Sequence, residues 1–497
     1  MAEPSTPSDG FGSRIRSGFK WTGAELVLRL AIRVAALAFL ARHLLPVDFG
    51  VFAAAMTAWE LLRPSSTLCM EQALVQREKL TEGDISVACG IAAGTCTMAT
   101  VALVLGASVI HYVYEDPRVA QVLFVLAFSL PLHCTSMLTL SAMRRRLAFR
   151  PLSLIALCAA VVGAVVAVLA ALEGAGVWSL VLGHYVEVAL PGALALYLLR
   201  DELKWPRFTG QWRPLTRFGA GQTLALFLNY WALHGDYVVI GRYLGSRPLG
   251  FYSRAYQLMS VAPNLFGSLH ATVLFPGLSR IQSDPKRMAS ALHDGVEVIA
   301  TLTLPASVFA IVAAPELLRL VLGPGWDPAI VPFQVLAAGI YLRTAYRLMA
   351  SVILATGHVF RFAVCQGVYA TLVVGGSLYA LRWGIAGVAG ATLFALVIFY
   401  GLVAMVAMRI ASVRLVAFLR DHLRAVALLM VVLACGWSIR RMLPVGTASP
   451  ILFLVICLGV VLSIFVLLTF RFKERLWGKL LYGLGHQAYM KYIRHQP

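Results

Sequence analysis

The sequence predicts an all-α polytopic membrane protein with about 14 transmembrane helices, in two pseudo-symmetric six-helix lobes plus two C-terminal helices. The chain of 497 residues is 60% hydrophobic and only 13% charged, which is more apolar surface than a water-soluble protein can bury. Apolar runs of the roughly 20 residues needed to cross a bilayer recur along it. A short internal repeat relates its two halves.

The apolar runs divide the chain into its elements. The predicted spans lie at residues 20–44, 47–68, 85–111, 118–142, 151–172, 176–199, 216–241, 249–275, 292–313, 329–355, 360–381, 385–408, 418–439 and 450–470. The resulting segments are an N-terminal tail (1–19), an N-lobe (20–199), a linker (200–215), a C-lobe (216–408), two further spans (409–470) and a basic tail (471–497).

The net charge of +19 is best explained by membrane topology. Basic residues concentrate in every second connecting segment, for example MRRRLAFR (143–150) and RDELKWPRFTGQWRPLTR (200–217). Such segments stay on the cytoplasmic side, so we predict cytoplasmic N- and C-termini, an attraction to anionic membrane lipids and no nucleic-acid partner. The first twenty residues are polar and the first apolar run is too long for a signal peptide, so no cleaved leader is expected.

The internal repeat has an offset of 200 residues. ARHLLPVDFGVF (41–52) matches GRYLGSRPLGFY (241–252), and each stretch joins an odd-numbered span to the next. Six spans separate the copies, so both have the same orientation across the membrane. This predicts two parallel lobes related by an axis along the membrane normal, as in some transporters.

The first span carries three ionisable residues spaced four apart, Glu25, Arg29 and Arg33. Because four residues rotate a helix by about 400°, all three share one face. Glu25 preceding Arg29 is the favourable order for an ion pair. Arg33 lies near the middle of the span, where an arginine costs about 2.5–3.5 kcal/mol to insert.

Similar polar faces occur in four other spans. Their members are Arg63 in span two, Asn229 and Asp236 in span seven, Arg254, Gln257 and Asn264 in span eight, and Arg343 and Arg347 in span ten. Such groups avoid lipid, so we predict a cationic, water-filled central cavity with an anionic ligand. Glu25 and Asp236 are candidates for H+ or Na+ coupling, because lone intramembrane carboxylates serve in such relays.

Simpler readings of these residues stay open. Arg29 and Arg63 could reach the interface, and Arg33 could pair with a carboxylate on another helix. Asp236 could be a structural hydrogen-bond acceptor, and the polar stripes could join helices together.

Enzymatic signatures are absent from the sequence. It contains no GxxxxGK[ST], HExxH or GxSxG motif, and its eight cysteines form no CxxC or Cys/His cluster. We therefore expect no enzyme activity, no cofactor, no metal site and no disulfide framework.

Four stretches resemble a known family: MEQALVQREKLTEGDIS (70–86), MRRRLAFRPL (143–152), GDYVVIGRYLGSRPLGFYSRAYQLM (235–259) and VLFPGLSRIQ (273–282). They are similar to the polysaccharide-export (Wzx-like) branch of the multidrug/oligosaccharidyl-lipid/polysaccharide (MOP) flippases. The resemblance covers spans one to ten. It implies fourteen spans around a central cavity, and movement of undecaprenyl-pyrophosphate-linked oligosaccharide from the inner to the outer leaflet of the bacterial plasma membrane.

The resemblance also implies roles for particular residues. By span, the cavity arginines of the related lipid II flippases match Arg29 and Arg33, Arg63, and Arg254. Implied partners are the lipid-linked oligosaccharide, membrane lipids, a polysaccharide polymerase with its export machinery, and H+ or Na+. The alternatives are an ion-coupled exporter of drugs or metabolites and a membrane glycosyl-transfer enzyme, which the short loops disfavour.

Overall fold

The computed structural model describes residues 8–71, 74, 82–145, 148–199, 212–269 and 284–416, residue 418 and a few single positions between 430 and 459. The regular elements in these ranges are helices. They are α1 Ser8–His43, α2 Pro46–Thr67, α3 Glu82–Val109, α4 Pro117–Ala127, α5 Ser129–Arg145, α6 Phe149–Leu172, α7 Val177–Leu199, α8 Trp212–Tyr243, α9 Ser246–Met259, α10 Val261–Leu269, α11 Pro285–Val312, α12 Ala314–Leu322, α13 Ile330–Ala338, α14 Ile340–Ala355, α15 Val359–Ala380 and α16 Gly384–Ile410.

Most helix limits lie within a few residues of the predicted spans, but some helices start early and some are divided. Helix α1 begins at Ser8 and α8 at Trp212, because backbone hydrogen bonding continues into polar sequence that hydropathy does not detect. Predicted spans four, eight and ten are each two helices, divided at Phe128, Ser260 and Gly339. The predicted spans at 418–439 and 450–470 and the tail at 471–497 lie almost wholly outside the described residues.

Seven helical stretches in the described part of the chain are long and apolar enough to cross a membrane. They are Ile85–Tyr112, Pro117–Arg144, Phe149–Leu172, Val177–Leu198, Lys286–Val312, Asp327–Ala355 and Val359–Ile410. Helices α1, α2 and α8 are not among them, and each carries charged residues within its apolar sequence. The chain is therefore a multi-pass membrane protein, and the count of about fourteen spans stays a prediction.

The chain forms two compact units. Unit 1 comprises Met1–Arg254, Val321–Trp326 and Ala370–Val388, and unit 2 comprises Ala255–Leu320, Asp327–Tyr369 and Ala389–Pro497. In unit 1, α6 packs on α1 and α7, and α2 packs on α3, α4 and α8. In unit 2, α14 packs on α10 and α11. The predicted limits of the two lobes stay a prediction.

Small residues allow the close helix packing within unit 1. A Cβ placed on Gly163 of α6 would lie 3.1 Å from the backbone oxygen of Gly183 on α7. Gly192 of α7 meets Ser136 of α5, whose hydroxyl donates to the Val188 carbonyl at 2.7 Å. Membrane helices associate through such contacts because lipid supplies no hydrophobic force between them.

The two copies of the internal repeat meet in unit 1 at a contact that we call the repeat joint, formed by Pro46, Gly50, Ser246 and Gly250. A Cβ on Gly50 would lie 1.6 Å from the Ser246 carbonyl oxygen, and a Cβ on Gly250 would lie 1.8 Å from the Pro46 carbonyl oxygen. Ser246 occupies in the second copy the position that Pro46 occupies in the first, so the two glycine contacts are equivalent. The joint has the reciprocity of a two-fold interface, built within one chain.

Two residues at the N-terminal end of α4 contact both copies of the repeat. Arg118 lies 3.6 Å from the Asp48 carboxylate in the first copy, and the Asp116 side chain hydrogen-bonds Ser246 in the second. Trp326 also contacts the first copy of the repeat. Its indole nitrogen donates to the Ala41 carbonyl at 3.0 Å.

We predict that Gly50→Ala lowers stability by about 1–3 kcal/mol, the usual cost of an overpacked contact. The new methyl group would overlap a backbone oxygen, so the two helices must separate. The measurement is thermal unfolding of the purified protein in detergent. Gly94→Ala is the control, because nothing lies within 4 Å of a Cβ there, and it should unfold at or above the wild-type temperature. An unchanged melting temperature in Gly50→Ala would contradict the packing described.

A second prediction concerns Asp116, which caps α4 and accepts from the Arg118 backbone at 3.1 Å and from its guanidinium at 2.7 Å. Burial by itself raises the pKa of this carboxyl, but the hydrogen bonds from Arg118 outweigh it and hold the pKa below its ordinary value. A carboxyl with a depressed pKa stabilises the fold at pH values above its unfolded-state pKa of about 3.9. This stabilisation is lost as the pH falls below that value.

Asp116→Asn keeps the cap and removes the charge. This variant should therefore unfold at a lower temperature than wild type at pH 7. The loss in free energy of unfolding should be at most about 1 kcal/mol, because Arg118 is partly exposed. The difference should shrink as the pH falls below about 4, when wild type loses the same charge. A difference that persists unchanged at low pH would refute the assignment.

Candidate functional site

The polar face of α1 carries its own ion pair. The Arg29 guanidinium lies 2.9 Å from the Glu25 carboxylate one turn earlier, and Glu25 is buried. The pair has the order and spacing that the sequence predicts to be favourable. Arg29 is therefore neutralised by a carboxylate on its own helix.

Arg33, one turn further along α1, is paired across helices. Its guanidinium contacts the carboxylate of Glu187 on α7. The open alternative, that Arg33 pairs with a carboxylate on another helix, is therefore the observed arrangement. Both side chains stay accessible, with 53% of Arg33 and 38% of Glu187 exposed, so the guanidinium keeps donors for a further acceptor.

Arg63 on α2 is paired with Glu60 one turn before it, at 2.7 Å. Both side chains are partly exposed. The phenol of Tyr230 on α8 lies close enough to Glu60 for electrostatic interaction. Arg63 is thus held by a carboxylate and not by the membrane interface alone.

A cluster of aromatic rings and histidines links these ion pairs. The Trp59 ring meets His184 edge-on at 4.7 Å and His133 at 5.6 Å. Both histidines interact electrostatically with Arg63, and His184 also interacts with Glu187. Helices α1, α2, α5 and α7 therefore bring two ion pairs and two imidazoles into one region of unit 1.

Arg254 differs from Arg29, Arg33 and Arg63, the other predicted site arginines of unit 1. Its guanidinium stacks over the Phe49 ring at 4.9 Å, and its buried Nε has no hydrogen-bond partner. Among the described residues no carboxylate pairs with it; Tyr237 is its polar neighbour. An arginine in this position carries an uncompensated positive charge, which favours an anion.

The remaining predicted residues of unit 1 lie on α8. Asp236 is fully buried and accepts a hydrogen bond from the Tyr252 hydroxyl on α9. This is the structural role that the sequence left open, and it does not test ion coupling. Asn229 is half-buried two turns earlier on the same helix.

In unit 2 the predicted residues lie on α9, α10 and α14. Arg343 is buried, donates to the Tyr256 hydroxyl at 2.8 Å and lies over the same ring at 4.9 Å. Arg347 donates to the Asn264 side chain at 3.4 Å. Gln257 is exposed. A tyrosine oxygen and an amide oxygen are thus observed partners of these two arginines.

Four residues of this region were not assigned to the site from the sequence: His184 and Glu187 on α7, His133 on α5 and Trp59 on α2. The signal for the first pair was the spacing of three residues in an otherwise apolar helix. His133 is a single imidazole in an apolar run, where periodicity offers no signal. Within the described residues no three His, Cys, Asp or Glu side chains come together as a metal site would require.

Comparison with known proteins agrees with this fold. A family model described as polysaccharide biosynthesis protein matches residues 39–331. The lipopolysaccharide biosynthesis protein WzxC of Escherichia coli (strain K12) is 24% identical over 386 residues, 76% of this chain and 77% of WzxC. The succinoglycan biosynthesis transport protein ExoT of Rhizobium meliloti (strain 1021) is 29% identical over 319 residues, 62% of each chain.

Solved structures share the fold at low sequence identity. The lipid II flippase MurJ, in an inward closed conformation, gives a TM-score of 0.69 at 13% identity, over 93% of this chain and 99% of MurJ. An inward-facing multidrug MATE transporter of the MOP superfamily gives 0.61 at 11% identity, over 78% of this chain and 98% of the transporter.

The helical structure, with charged residues within its apolar helices, is a multi-pass membrane protein with the fold of the MOP proteins. The chain belongs to the polysaccharide biosynthesis protein family, within the Wzx-like branch of the MOP flippase superfamily. The resemblance found in the sequence is therefore confirmed.

We predict that Tyr256→Phe lowers stability by about 1.5–3 kcal/mol, because it removes a hydrogen bond to the buried Arg343 guanidinium but keeps the ring beneath it. Thermal unfolding in detergent is the measurement. Tyr112→Phe, at a ring that is 73% exposed, should change little. Equal melting temperatures for the two variants would show that the Arg343 contact contributes nothing.

Proposed function

We propose that this protein is a flippase that moves undecaprenyl-pyrophosphate-linked oligosaccharide from the inner to the outer leaflet of the bacterial plasma membrane, for surface polysaccharide or exopolysaccharide biosynthesis. The observation that carries the proposal is Arg254. Its guanidinium stacks on Phe49 and has no acidic partner among the described residues. An anionic headgroup is the ligand that such a charge favours.

The chemistry of a diphosphate fits the arginines of unit 1. The headgroup carries about two negative charges and several acceptor oxygens, which guanidinium forks bind in pairs. Arg29, Arg33 and Arg63 each pair with a carboxylate and remain partly exposed, so further guanidinium donors stay accessible. The relatives WzxC and ExoT, named for lipopolysaccharide and succinoglycan biosynthesis, and the lipid II flippase MurJ support this ligand class.

The polar residues of the other helices suit the sugar. In the proposal, Arg343 and Arg347 attract the anionic substrate from unit 2, and Asn229, Gln257 and Asn264 supply hydrogen bonds along a hydrated path. Glu25 and Asp236 stay candidates for H+ or Na+ coupling. That the arginines of both units share one central cavity stays a prediction.

Alternating access requires an outer barrier that opens, and we propose the repeat joint for this role. It lies where α1 meets α2 and α8 meets α9, on the side that the charge distribution predicts to be outer. Gly50 and Gly250 bring backbone against backbone there. Opening the joint would separate the two repeat copies and release the substrate into the outer leaflet.

The membrane potential supplies a driving force for this direction. Moving two negative charges outward across an inside-negative potential of about 100 mV is favourable by about 4–5 kcal/mol. A polymerase and export machinery would then consume the product at the outer face.

An ion-coupled exporter of small molecules is the second candidate, because the same fold occurs in multidrug MATE transporters. Drug resistance of a sensitive host that expresses the chain separates the two functions. Resistance without polysaccharide translocation would favour the exporter.

The direct test is translocation of a fluorescent lipid-linked oligosaccharide in proteoliposomes. Arg33→Ala and Arg254→Ala should each reduce the rate at least about tenfold, because each removes a charged contact of about 1.5–3 kcal/mol to the diphosphate. Arg254→Lys keeps the positive charge but loses the planar guanidinium that can bind two oxygens at once, so it should retain partial activity.

Arg319→Ala is the matched control, because Arg319 pairs with Asp327 outside the site at 2.9 Å. It should keep the wild-type rate. Full translocation by Arg33→Ala and Arg254→Ala, in protein that folds normally, would rule out the binding role proposed.

A further inference from the structure

We infer that Glu187, together with His184 one turn before it on α7, forms a proton-binding site that competes with the substrate for Arg33. The inference rests on the proposed function, because the diphosphate is the anion that replaces Glu187 on Arg33. Binding of the diphosphate would then be accompanied by uptake of one proton. Neither Glu187 nor His184 is among the ion-coupling candidates named from the sequence, which are Glu25 and Asp236.

The first step of the argument is the Arg33–Glu187 ion pair. Arg33 contacts the Glu187 carboxylate, so its charge is already neutralised. A diphosphate that takes this guanidinium leaves Glu187 with a negative charge, no cation and an anionic neighbour. A partly buried carboxylate in that position is costly, and binding a proton removes both the charge and the repulsion.

The second step is the unsatisfied imidazole of His184. Its Nε2 is buried and has no hydrogen-bond partner in the part of the chain that the structure describes. Buried polar atoms rarely remain unpaired without a reason. Glu187 lies three residues later on the same helix face, so a protonated Glu187 carboxyl is positioned to offer its O–H to this nitrogen.

The charged and titratable groups around the pair favour Glu187 as the proton acceptor. Arg33 contacts it from α1. From α2, Arg63, which is paired with Glu60, interacts with His184, and His133 interacts with His184 from α5. Helix α6 presents Gly163, whose Cβ position is 3.6 Å from Glu187, and Tyr185 of α7 is bonded to the Val125 carbonyl of α4. Because Nε2 of His184 is buried, a charged imidazole is disfavoured there, and nearby Arg63 adds repulsion, so we assign the proton to the Glu187 carboxylate.

The exchange balances in atoms and charge. A proton from water binds the Glu187 carboxylate, the Arg33–Glu187 ion pair breaks, and the Arg33 N–H groups donate to diphosphate oxygens. On release at the outer face the ion pair re-forms and the proton returns to water. A cycle that includes this proton therefore moves a net charge of about −1, and the membrane potential then contributes about half the driving force that it supplies for two charges. By linkage, the diphosphate binds more tightly as the pH falls, by up to about tenfold per pH unit for one proton.

The test is equilibrium binding of a short-chain prenyl diphosphate esterified to one sugar, to the full chain in nanodiscs, between pH 5.5 and 8.5. As a diester, this probe has no diphosphate proton that titrates in the range. Wild type should lose affinity with rising pH. Glu187→Gln should bind at pH 8.5 at least as tightly as wild type at pH 5.5, with no pH slope.

Two matched variants complete the design. Asp327→Asn makes the same chemical change at the exposed pair with Arg319 and should keep the wild-type slope. His184→Phe keeps an aromatic ring beside Trp59 and should move the transition to lower pH, because the protonated carboxyl loses its acceptor. An unmoved transition would overturn the part assigned to His184.

Calorimetry of wild type in two buffers of different ionisation enthalpy counts protons without any substitution. Uptake of about one proton supports the site, and zero uptake overturns it even if Glu187→Gln does not fold. A wild-type pH slope in Glu187→Gln also overturns it and leaves the proposed function standing. Unchanged affinity in Arg33→Ala would instead refute the binding role of Arg33 in the proposed function.

Discussion

The need to neutralise arginine within apolar helices governs the structure of unit 1. Lipid cannot solvate a guanidinium, so each such group requires a carboxylate, an aromatic face or a ligand. Arg33 meets Glu187 and Arg63 meets Glu60, whereas Arg254 rests on a phenyl ring without a carboxylate among the described residues. In the proposed function, an anion displaces the internal acids from the first two of these cations and binds the third directly.

Two of the helices that carry these charges, α2 and α9, also form the repeat joint. Gly50 and Arg63 are thirteen residues apart on α2, about 20 Å along one helix. A rigid helix that moves at the joint must therefore move its arginine as well. In the proposed mechanism, α2 would therefore couple the backbone contact at Gly50 to the ion pair at Arg63.

Hydropathy predicted the fold well because the membrane imposes a simple length and composition on each span. It placed α2 and α6 within two residues of their observed limits. It could not predict the divisions at Phe128 and Gly339, because a one-residue interruption changes neither length nor composition. For the site, helical periodicity placed Glu25 and Arg29 on one face, and the structure pairs them.

The sequence by itself determined the membrane class, the internal repeat and the helix faces on which charges lie, because these follow from composition and from spacing along one helix. Only the tertiary structure decided which acid each arginine meets. The contact from Arg33 to Glu187 joins residues 154 positions apart. It depends on the rotation and depth of two helices, which their packing fixes and their separate sequences do not.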